Sequence, residues 1–443
     1  MSMSTTTVEK SLPPATPRYI LRGHASAIQA LHFFAHNTRL ISADADGWVV
    51  IWDVITKRTR AVWKAHEGAV LEVKGFELPG QGQEIFTHGR DHKLRLWRIK
   101  ASDDEQSLLN RVLPVERTQG NASSTQTSSS VEPWLVHSLP VNALNFCAFA
   151  LCLVPDPPIQ ASNTDSDPLS TGQGLTARQP VYFAVPNALN SGAIDIFHLP
   201  SEKRVSTILA DTVVQTGMVM AVNLLLTAQN QLYVLSGYED GHVMVHVQRS
   251  IRDPSKTWKW ENVYVSRPHS QPVLSLDSVQ SDKQSFFFTS SADALIVKHP
   301  VPAVTIGSAP AEKSPLKLLN TKHAGQQGLR VRTDQKIFGT AGWDARVRVY
   351  SCKTMRELGV LKWHKEGCYA VAFADILSPN EDRDISTGCN EETDNTGGNN
   401  AQTHPSHESP LQMVQHQRSQ KAQQMHWLAA GSKDGKISLW DIY

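Results

Sequence analysis

The chain has 443 residues, of which 40% are hydrophobic and 19% charged, enough apolar material for a core and too little charge for a wholly disordered polymer. Lys plus Arg number 43 against 42 for Asp plus Glu, and no basic block gathers the positive charge that a nucleic-acid track requires, so direct binding of DNA or RNA is not expected. The five cysteines (Cys147, Cys152, Cys352, Cys368 and Cys389) form neither a CxxC pair nor a zinc spacing, the polar opening carries no secretory core, and no apolar run approaches the roughly 18 residues of a membrane span. The expectation is an intracellular, reduced chain without a transmembrane segment.

Residues 1–16 are polar and read as a disordered N-terminus, after which residues 17–443 read as one repeating body. Arg18-Tyr19-Ile20-Leu21 is an extended segment with no repeat of its own. Next comes Gly23-His24, and 28 positions after that histidine Trp52 closes the turn-plus-strand Asp46-Gly47-Trp48-Val49-Val50-Ile51-Trp52-Asp53. A glycine-histidine to tryptophan-aspartate unit is the signature of a WD-repeat propeller blade. Its physical basis is a buried polar relay in which a leading histidine, a turn aspartate, a strand hydroxyl and an indole bond in series, each costly to leave unpaired. In blade one the candidates are His24, Ser42, Asp46 and Trp52; in blade two they are His66, Thr87, Asp91 and Trp97.

Both sets place the hydroxyl four residues before the aspartate and the indole six after it. Farther along, Ser236, Asp240 and His246 keep this spacing, as do Thr289, Asp293 and His299, and Thr340, Asp344 and Tyr350. At the last repeat Asp434 and Trp440 fit, with Ala430 where the hydroxyl belongs. Blade three is degenerate: Val181 to Val185 and Ala193 to Phe197 read as its second and third strands, and His137 followed by Val141 to Phe146 as its approach and first strand. Further leading histidines are His269, His323 and His364, and blade four lacks an obvious one. The strand-end markers fall at 52, 97, 197, 246, 299, 350 and 440, which predicts an all-β, seven-bladed WD-repeat β-propeller. Because the last repeat offers only three strands, Tyr19 to Leu21 is expected to supply its outer strand and close the ring.

Three inserts interrupt the pattern. Residues 101–131 read as a disordered linker following the outer strand of blade two, 155–179 as an insert in blade three, and 379–424 as an insert in blade seven between its first and second strands. His404, His407, Glu408, His416 and His426 stand in or beside the last of these, a glutamine-rich setting without rigid ligand spacing, so no metal is expected. No phosphate-binding glycine loop, HExxH helix or nucleophile elbow is present. The turn aspartates recur in equivalent positions, whereas a catalytic acid is needed once; the reading is therefore noncatalytic and cofactor-free. Trp48 and Trp343, at turns where core packing does not demand an indole, are candidate interface anchors, with Arg90 and Arg346 as candidate surface cations.

The segments Pro17-Arg18-Tyr19-Ile20-Leu21-Arg22-Gly23-His24, Lys64-Ala65-His66-Glu67-Gly68-Ala69-Val70, Thr87-His88-Gly89-Arg90-Asp91-His92-Lys93-Leu94-Arg95-Leu96-Trp97 and Ala429 to Asp441 together resemble the fungal ASTRA-associated protein 1 family, which is itself similar to the guanine-nucleotide-binding β-subunit-like propellers. The resemblance implies a nuclear, noncatalytic scaffold of the ASTRA complex, concerned with chromatin remodelling and with maturation of phosphatidylinositol-3-kinase-related kinases. It implies as partners the telomere-length-regulation chaperone proteins, the transformation/transcription-associated pseudokinase and the RuvB-like ATPases, with this chain a monomer within the hetero-oligomer. From the residues alone a peptide-binding propeller, either a ubiquitin-ligase substrate receptor or a histone-tail reader, stays open as the alternative.

Overall fold

Runs rich in Val, Ile, Leu and aromatic residues, cut by Gly- and Asp-containing turns, pair with their neighbours in sequence as successive antiparallel strands. The computed structural model describes residues 15–78, 81–105, 108–118, 131–142, 146–154, 180–249, 258–280, 284–303, 314–377 and 410–442. After β1 (Tyr19–Arg22), blade one is β2 (Ile28–Phe34), β3 (Arg39–Asp44), β4 (Trp48–Asp53) and β5 (Thr59–Lys64), and blade two is β6 (Val70–Leu78), β7 (Gly82–Gly89), β8 (Lys93–Lys100) and β9 (Trp134–Pro140). Blade three is β10 (Ala150–Leu153), β11 (Val181–Pro186), β12 (Ile194–Leu199) and β13 (Lys203–Ile208), and blade four is β14 (Val219–Leu226), β15 (Leu232–Tyr238), β16 (Val243–Arg249) and β17 (Lys259–Ser266). Blade five is β18 (Val273–Val279), β19 (Phe286–Ser291), β20 (Leu295–Pro300) and β21 (Lys317–Asn320), and blade six is β22 (Gln326–Val331), β23 (Ile337–Gly342), β24 (Val347–Ser351) and β25 (Glu357–Leu361). Blade seven is β26 (Cys368–Phe373), β27 (Trp427–Ser432) and β28 (Lys436–Asp441), completed by β1. The result is a seven-bladed β-propeller of four-stranded sheets.

Neighbouring blades share their cores. Ile41, Val49 and Trp63 of blade one pack on Val70, Val73, Ile85 and Trp97 of blade two, with the two indoles edge to face at 6.1 Å. The first strands of all seven blades surround a central cavity of about 370 Å³. An ion pair between Glu72 of blade two and Arg330 of blade six crosses it. Beside that pair Asp277 accepts from the Val331 amide at 2.8 Å and from the Asn223 side chain at 3.2 Å.

Three sequence-based expectations need correction. Residues 134–140 are the outer strand of blade two, in register with β8 (Leu96 opposite His137, Trp97 opposite Leu135), so His137 does not lead blade three. The first strand of blade three is Ala150–Leu153 rather than Val141 to Phe146, and it pairs with β11 over Ala150 to Leu153. The segment 101–131 therefore lies before the outer strand of blade two, and it is not wholly a linker: it contains α1 (Ala101–Glu105) and α2 (Pro114–Thr118). Between these helices the chain covers the free edge of blade one. The Val62 amide donates to the Asn110 carbonyl at 2.8 Å, the Asn110 side chain donates back to the Val62 carbonyl at 3.1 Å, and Arg60 pairs with Asp104 at 2.8 Å. Leu113 packs into the blade-one core beside Trp52. An uncovered edge strand invites pairing with other chains, and this arm removes that exposure.

The insert of blade seven ends in a helix that its composition does not announce, α3 (Pro410–Gln424). Its polar sequence gives no continuous apolar stripe, so it is held at its end, where Trp427 donates to the Ala422 carbonyl at 3.0 Å and Asn37 donates to the Gln423 carbonyl at 3.0 Å. Residues 1–14, 119–130, 155–179 and 378–409, with His404, His407 and Glu408 among them, lie outside the described residues. No helix of the described residues is long and apolar enough to cross a membrane.

The seam is β1 against β28, with Tyr19 opposite Leu439 and Arg22 opposite Lys436. Leu21 is 2% exposed within the core formed by Val50, Trp52 and Trp427. Deleting residues 1–22 should lower the melting temperature of the whole ring, since burial of Leu21 alone is worth about 2 kcal/mol before the lost edge bonds are counted. A truncated chain that melts as cooperatively and as late as the intact one would contradict this account of closure.

Candidate functional site

Each relay is built where the second strand of a blade faces the loop leading into its first. In blade two Trp97 Nε1 donates to Thr87 Oγ1 at 2.9 Å, Thr87 lies 2.7 Å from His66 Nε2, and His66 Nδ1 meets Asp91 at 2.8 Å. The carboxylate can only accept, so the proton of the neutral His66 ring sits on Nδ1 and is donated to Asp91; Nε2 then accepts from the Thr87 hydroxyl, which itself accepts from the indole. Burial acts against the Asp91 charge, but the hydrogen bond from His66, with the Arg95 guanidinium, outweighs it and holds the carboxyl below its ordinary range.

Blade one has the same chain with a different acid. Trp52 donates to Ser42 at 2.8 Å, Ser42 lies 2.7 Å from His24 Nε2, and His24 Nδ1 meets Asp44, not Asp46, at 2.6 Å. Asp46 is exposed, and its amide donates to Asp44 Oδ1, as does that of Trp48, each at 3.0 Å. The reason lies one strand position beyond the ruler. Gly89 stands in blade two where Asp44 stands in blade one, and a Cβ built on Gly89 would come within 2.3 Å of the His66 ring. Blade two therefore draws its acid from the turn, and blade one takes it from the end of the strand.

In blade five His269 Nδ1 meets Asp293 at 3.2 Å and its Nε2 lies 2.8 Å from Thr289, which His299 approaches at 2.8 Å in place of an indole. Tyr264, on the outer strand of blade four, lies 2.8 Å from His299 Nδ1. For His299 to act as the indole does, its proton must sit on Nε2, and the donated Tyr264 hydroxyl fixes that tautomer. In blade seven the hydroxyl missing at Ala430 comes from Ser438, which the β27–β28 register places directly across. Trp440 donates to it at 2.8 Å, His364 Nε2 lies 2.8 Å away, and Asp434 stands off at 4.0 Å, bonded to Lys436 at 2.7 Å. Sequence spacing missed Ser438 because it looked only along β27.

Blades four and six keep the spacing without the relay. Ser236 donates to Tyr238 at 3.2 Å, while Asp240 turns to His242 at 2.6 Å and is not joined to Ser236 or to the buried His246. In blade six Gln326 replaces the leading histidine: Thr340 donates to it at 2.8 Å. His323, expected to lead, is half exposed; Asp344 instead holds Arg348 through contacts of 2.6 and 3.2 Å, and Tyr350 stacks on Phe338 at 5.1 Å. Blade three has its own series, in which Asn142 donates to the Asn187 carbonyl at 2.8 Å, Asn187 to Asp195 at 2.9 Å, and Thr207 to Asp195 at 2.6 Å.

The candidate interface residues diverge. Trp48 packs on the blade-one core with Arg117 over its ring at 4.8 Å, so the arm already occupies it. Arg346 is bound to the His364 carbonyl at 3.4 Å. Trp343 remains 49% exposed, bonded through its indole to Gln327 at 2.7 Å, and Arg90 lies 3.9 Å over the exposed ring of Phe146. Among the described residues no three His, Cys, Asp or Glu side chains gather as a metal site.

The family model described as ASTRA-associated protein 1 matches residues 17–440. Proteins of that name from Aspergillus niger and Aspergillus flavus are 55% and 54% identical to the chain, the first across 100% of both chains and the second across 97% of this chain and 98% of its own. The protein of that name from Schizosaccharomyces pombe is 32% identical, covering 81% of this chain and 93% of the relative.

Two outcomes follow from the relays and the other buried histidines. Asp44→Ala and Asp91→Ala should each destabilise the fold by roughly 1–3 kcal/mol, by orphaning a buried histidine, while Asp46→Ala should fall within about 0.5 kcal/mol of wild type. Equal effects of Asp44→Ala and Asp46→Ala in urea unfolding would overturn the assignment. Stability should also depend on pH. Burial pushes His88 down to about 3 and His246 and His364 to about 4, and it holds His299 well below its usual value. His32, which accepts from the Gly75 amide at 3.1 Å, is likewise held low by burial and by Lys74 and Arg330. The unfolded chain binds these protons and the folded one does not, so stability is full above the unfolded value near 6.5 and falls as pH drops below it. His88, His246 and His364 should each cost about 2 kcal/mol at pH 5, and His299 and His32 act in the same direction. A melting temperature constant between pH 7.5 and pH 5 would contradict this.

Proposed function

The chain belongs to the ASTRA-associated protein 1 family, and from that membership we propose that it is a noncatalytic protein-interaction scaffold of the ASTRA complex, acting in the nucleus. The observation that carries this is the extent of the match: it runs along the whole ring, from residue 17 to residue 440, including the degenerate blades. The polar chemistry of the described residues supports the same reading. His24, Asp44, His66, Asp91, His269 and Asp293 are each bonded within a blade, leaving them structural duties in place of an exposed acid-base pair. Within that role the chain works in chromatin remodelling and in maturation of phosphatidylinositol-3-kinase-related kinases, beside the telomere-length-regulation chaperone proteins, the transformation/transcription-associated pseudokinase and the RuvB-like ATPases.

The test is quantitative affinity purification of the endogenously tagged chain followed by mass spectrometry. Stoichiometric recovery of the chaperone proteins with a giant kinase-related polypeptide is the expected result. Recovery of ubiquitin-ligase subunits or histones without that group would replace the scaffold reading with a substrate receptor or a histone-tail reader.

A further inference from the structure

The loops joining β11 to β12 and β13 to β14 carry the most exposed large apolar side chains of the described residues: Leu189 at 98%, Val213 at 89% and Leu209 at 79%. Single exposed apolar residues are ordinary, but these stand on adjoining loops. The Val219 amide donates to the Ser191 carbonyl at 2.8 Å, and a Cβ built on Gly192 would lie 3.2 Å from the Ala210 Cβ.

They are also rigidly presented. Asn187 Oδ1 accepts from the amides of Leu189 and Asn190, each at 2.8 Å, while the amide of the same side chain is anchored on Asp195. Asp211 Oδ1 accepts from the amides of Val213 and Val214 at 2.7 and 3.0 Å. Each Asx turn thus holds an apolar side chain out in water, and the ordering that association usually requires is already in place.

Two carboxylates stand at the rim of this patch, and the neighbouring Arg267 is already taken up by the Asp240 carbonyl at 3.0 Å. Asp211 and Glu239 are exposed, and among the described residues neither has an ion-pair partner. Glu239 Oε2 accepts from the Met218 amide at 3.2 Å, and the Val214 and Val213 amides keep the Asp211 carboxyl ionised below its ordinary range.

We propose that Leu189, Leu209 and Val213, rimmed by Asp211 and Glu239, form a preorganised docking surface for a partner protein's segment with apolar anchors and Lys or Arg flanks. The proposal rests on the scaffold reading, and it assigns that role to the loops of blades three and four, the part of the ring that departs farthest from the repeat. The partner's apolar side chains cover the three exposed residues, and its cations meet carboxylates that have none of their own.

The experiment compares the tagged full-length chain with L189S/L209S/V213S and with D211N/E239Q, which removes charge but keeps an acceptor oxygen for each loop amide. A photo-crosslinking residue at position 189 or 213 of the otherwise native chain identifies what lies against the patch. The expected results are wild-type melting of both variants, a fall of about tenfold or more in complex subunits recovered by the triple variant, and a smaller fall with weaker salt dependence for the charge variant. The crosslinked segment should be apolar and flanked by Lys or Arg. If the triple variant itself fails to fold, L189S alone, at a residue almost wholly in water, decides in its place. Wild-type recovery by a folded variant overturns the proposal, as does a crosslink to an acidic segment or to a second copy of this chain. Failure of the wild-type chain to recover the complex would instead remove the scaffold reading beneath it.

Discussion

A buried hydroxyl that must serve an indole and a histidine at once is the constraint on which most of the ring depends. Ser42, Thr87 and Ser438 each accept from a tryptophan and stand within hydrogen-bond distance of an imidazole, and Thr289 does the same with His299 in the indole's place. Because a hydroxyl donates once, its single proton goes to the histidine, whose own remaining proton goes to an acid or stays unpaired. That directionality ties the loop leading into a blade to its second and third strands and to the turn between them. A β-sheet ladder alone sets register within a blade; the relay sets where the blade begins.

The remaining blades satisfy the same constraint by removing one of its terms. Blade four has no leading histidine, and Tyr238 takes the Ser236 hydroxyl. Blade six puts Gln326 where a histidine would stand and commits Asp344 to Arg348. Blade three lacks the indole and the second-strand hydroxyl together and runs its bonds through Asn142, Asn187, Asp195 and Thr207. Its sheet is complete, yet its polar chain now ends in the loop that holds Leu189 in solvent.

The fold was legible in the sequence because a glycine-histidine, a turn and a terminal tryptophan recur, and because alternation of apolar residues betrays strands even where the markers fail. The relays were legible only where two blades solve the geometry alike. Asp44 and Asp46 are two residues apart and carry the same side chain; only the space over Gly89, filled by His66, explains why blade two uses the turn position and blade one does not. Ser438 was invisible to spacing along one strand because it substitutes across a strand pair, a relation that exists only once register is known. The outer strand of blade two was displaced by an arm that no local pattern announces, since its anchors, Asn110 and Leu113, make their bonds and contacts in a different blade. The docking loops escaped notice for a related reason: Leu189 and Val213 are unremarkable residues made conspicuous by the Asx turns that expose them.

The seam joins the two ends of the ring by a short antiparallel pair, and its polarity has a mechanical meaning. Tyr19 faces Leu439 and Arg22 faces Lys436, so the chain running out before Arg18 and the chain running out after Asp441 leave from the same end of the pair. Tension applied between them loads the rungs one after another, in the manner of a zipper, and not together in shear. The propeller is thus weakest against force along one particular line. Opening along that line releases β1 from blade seven and leaves the six other sheets with their strands intact.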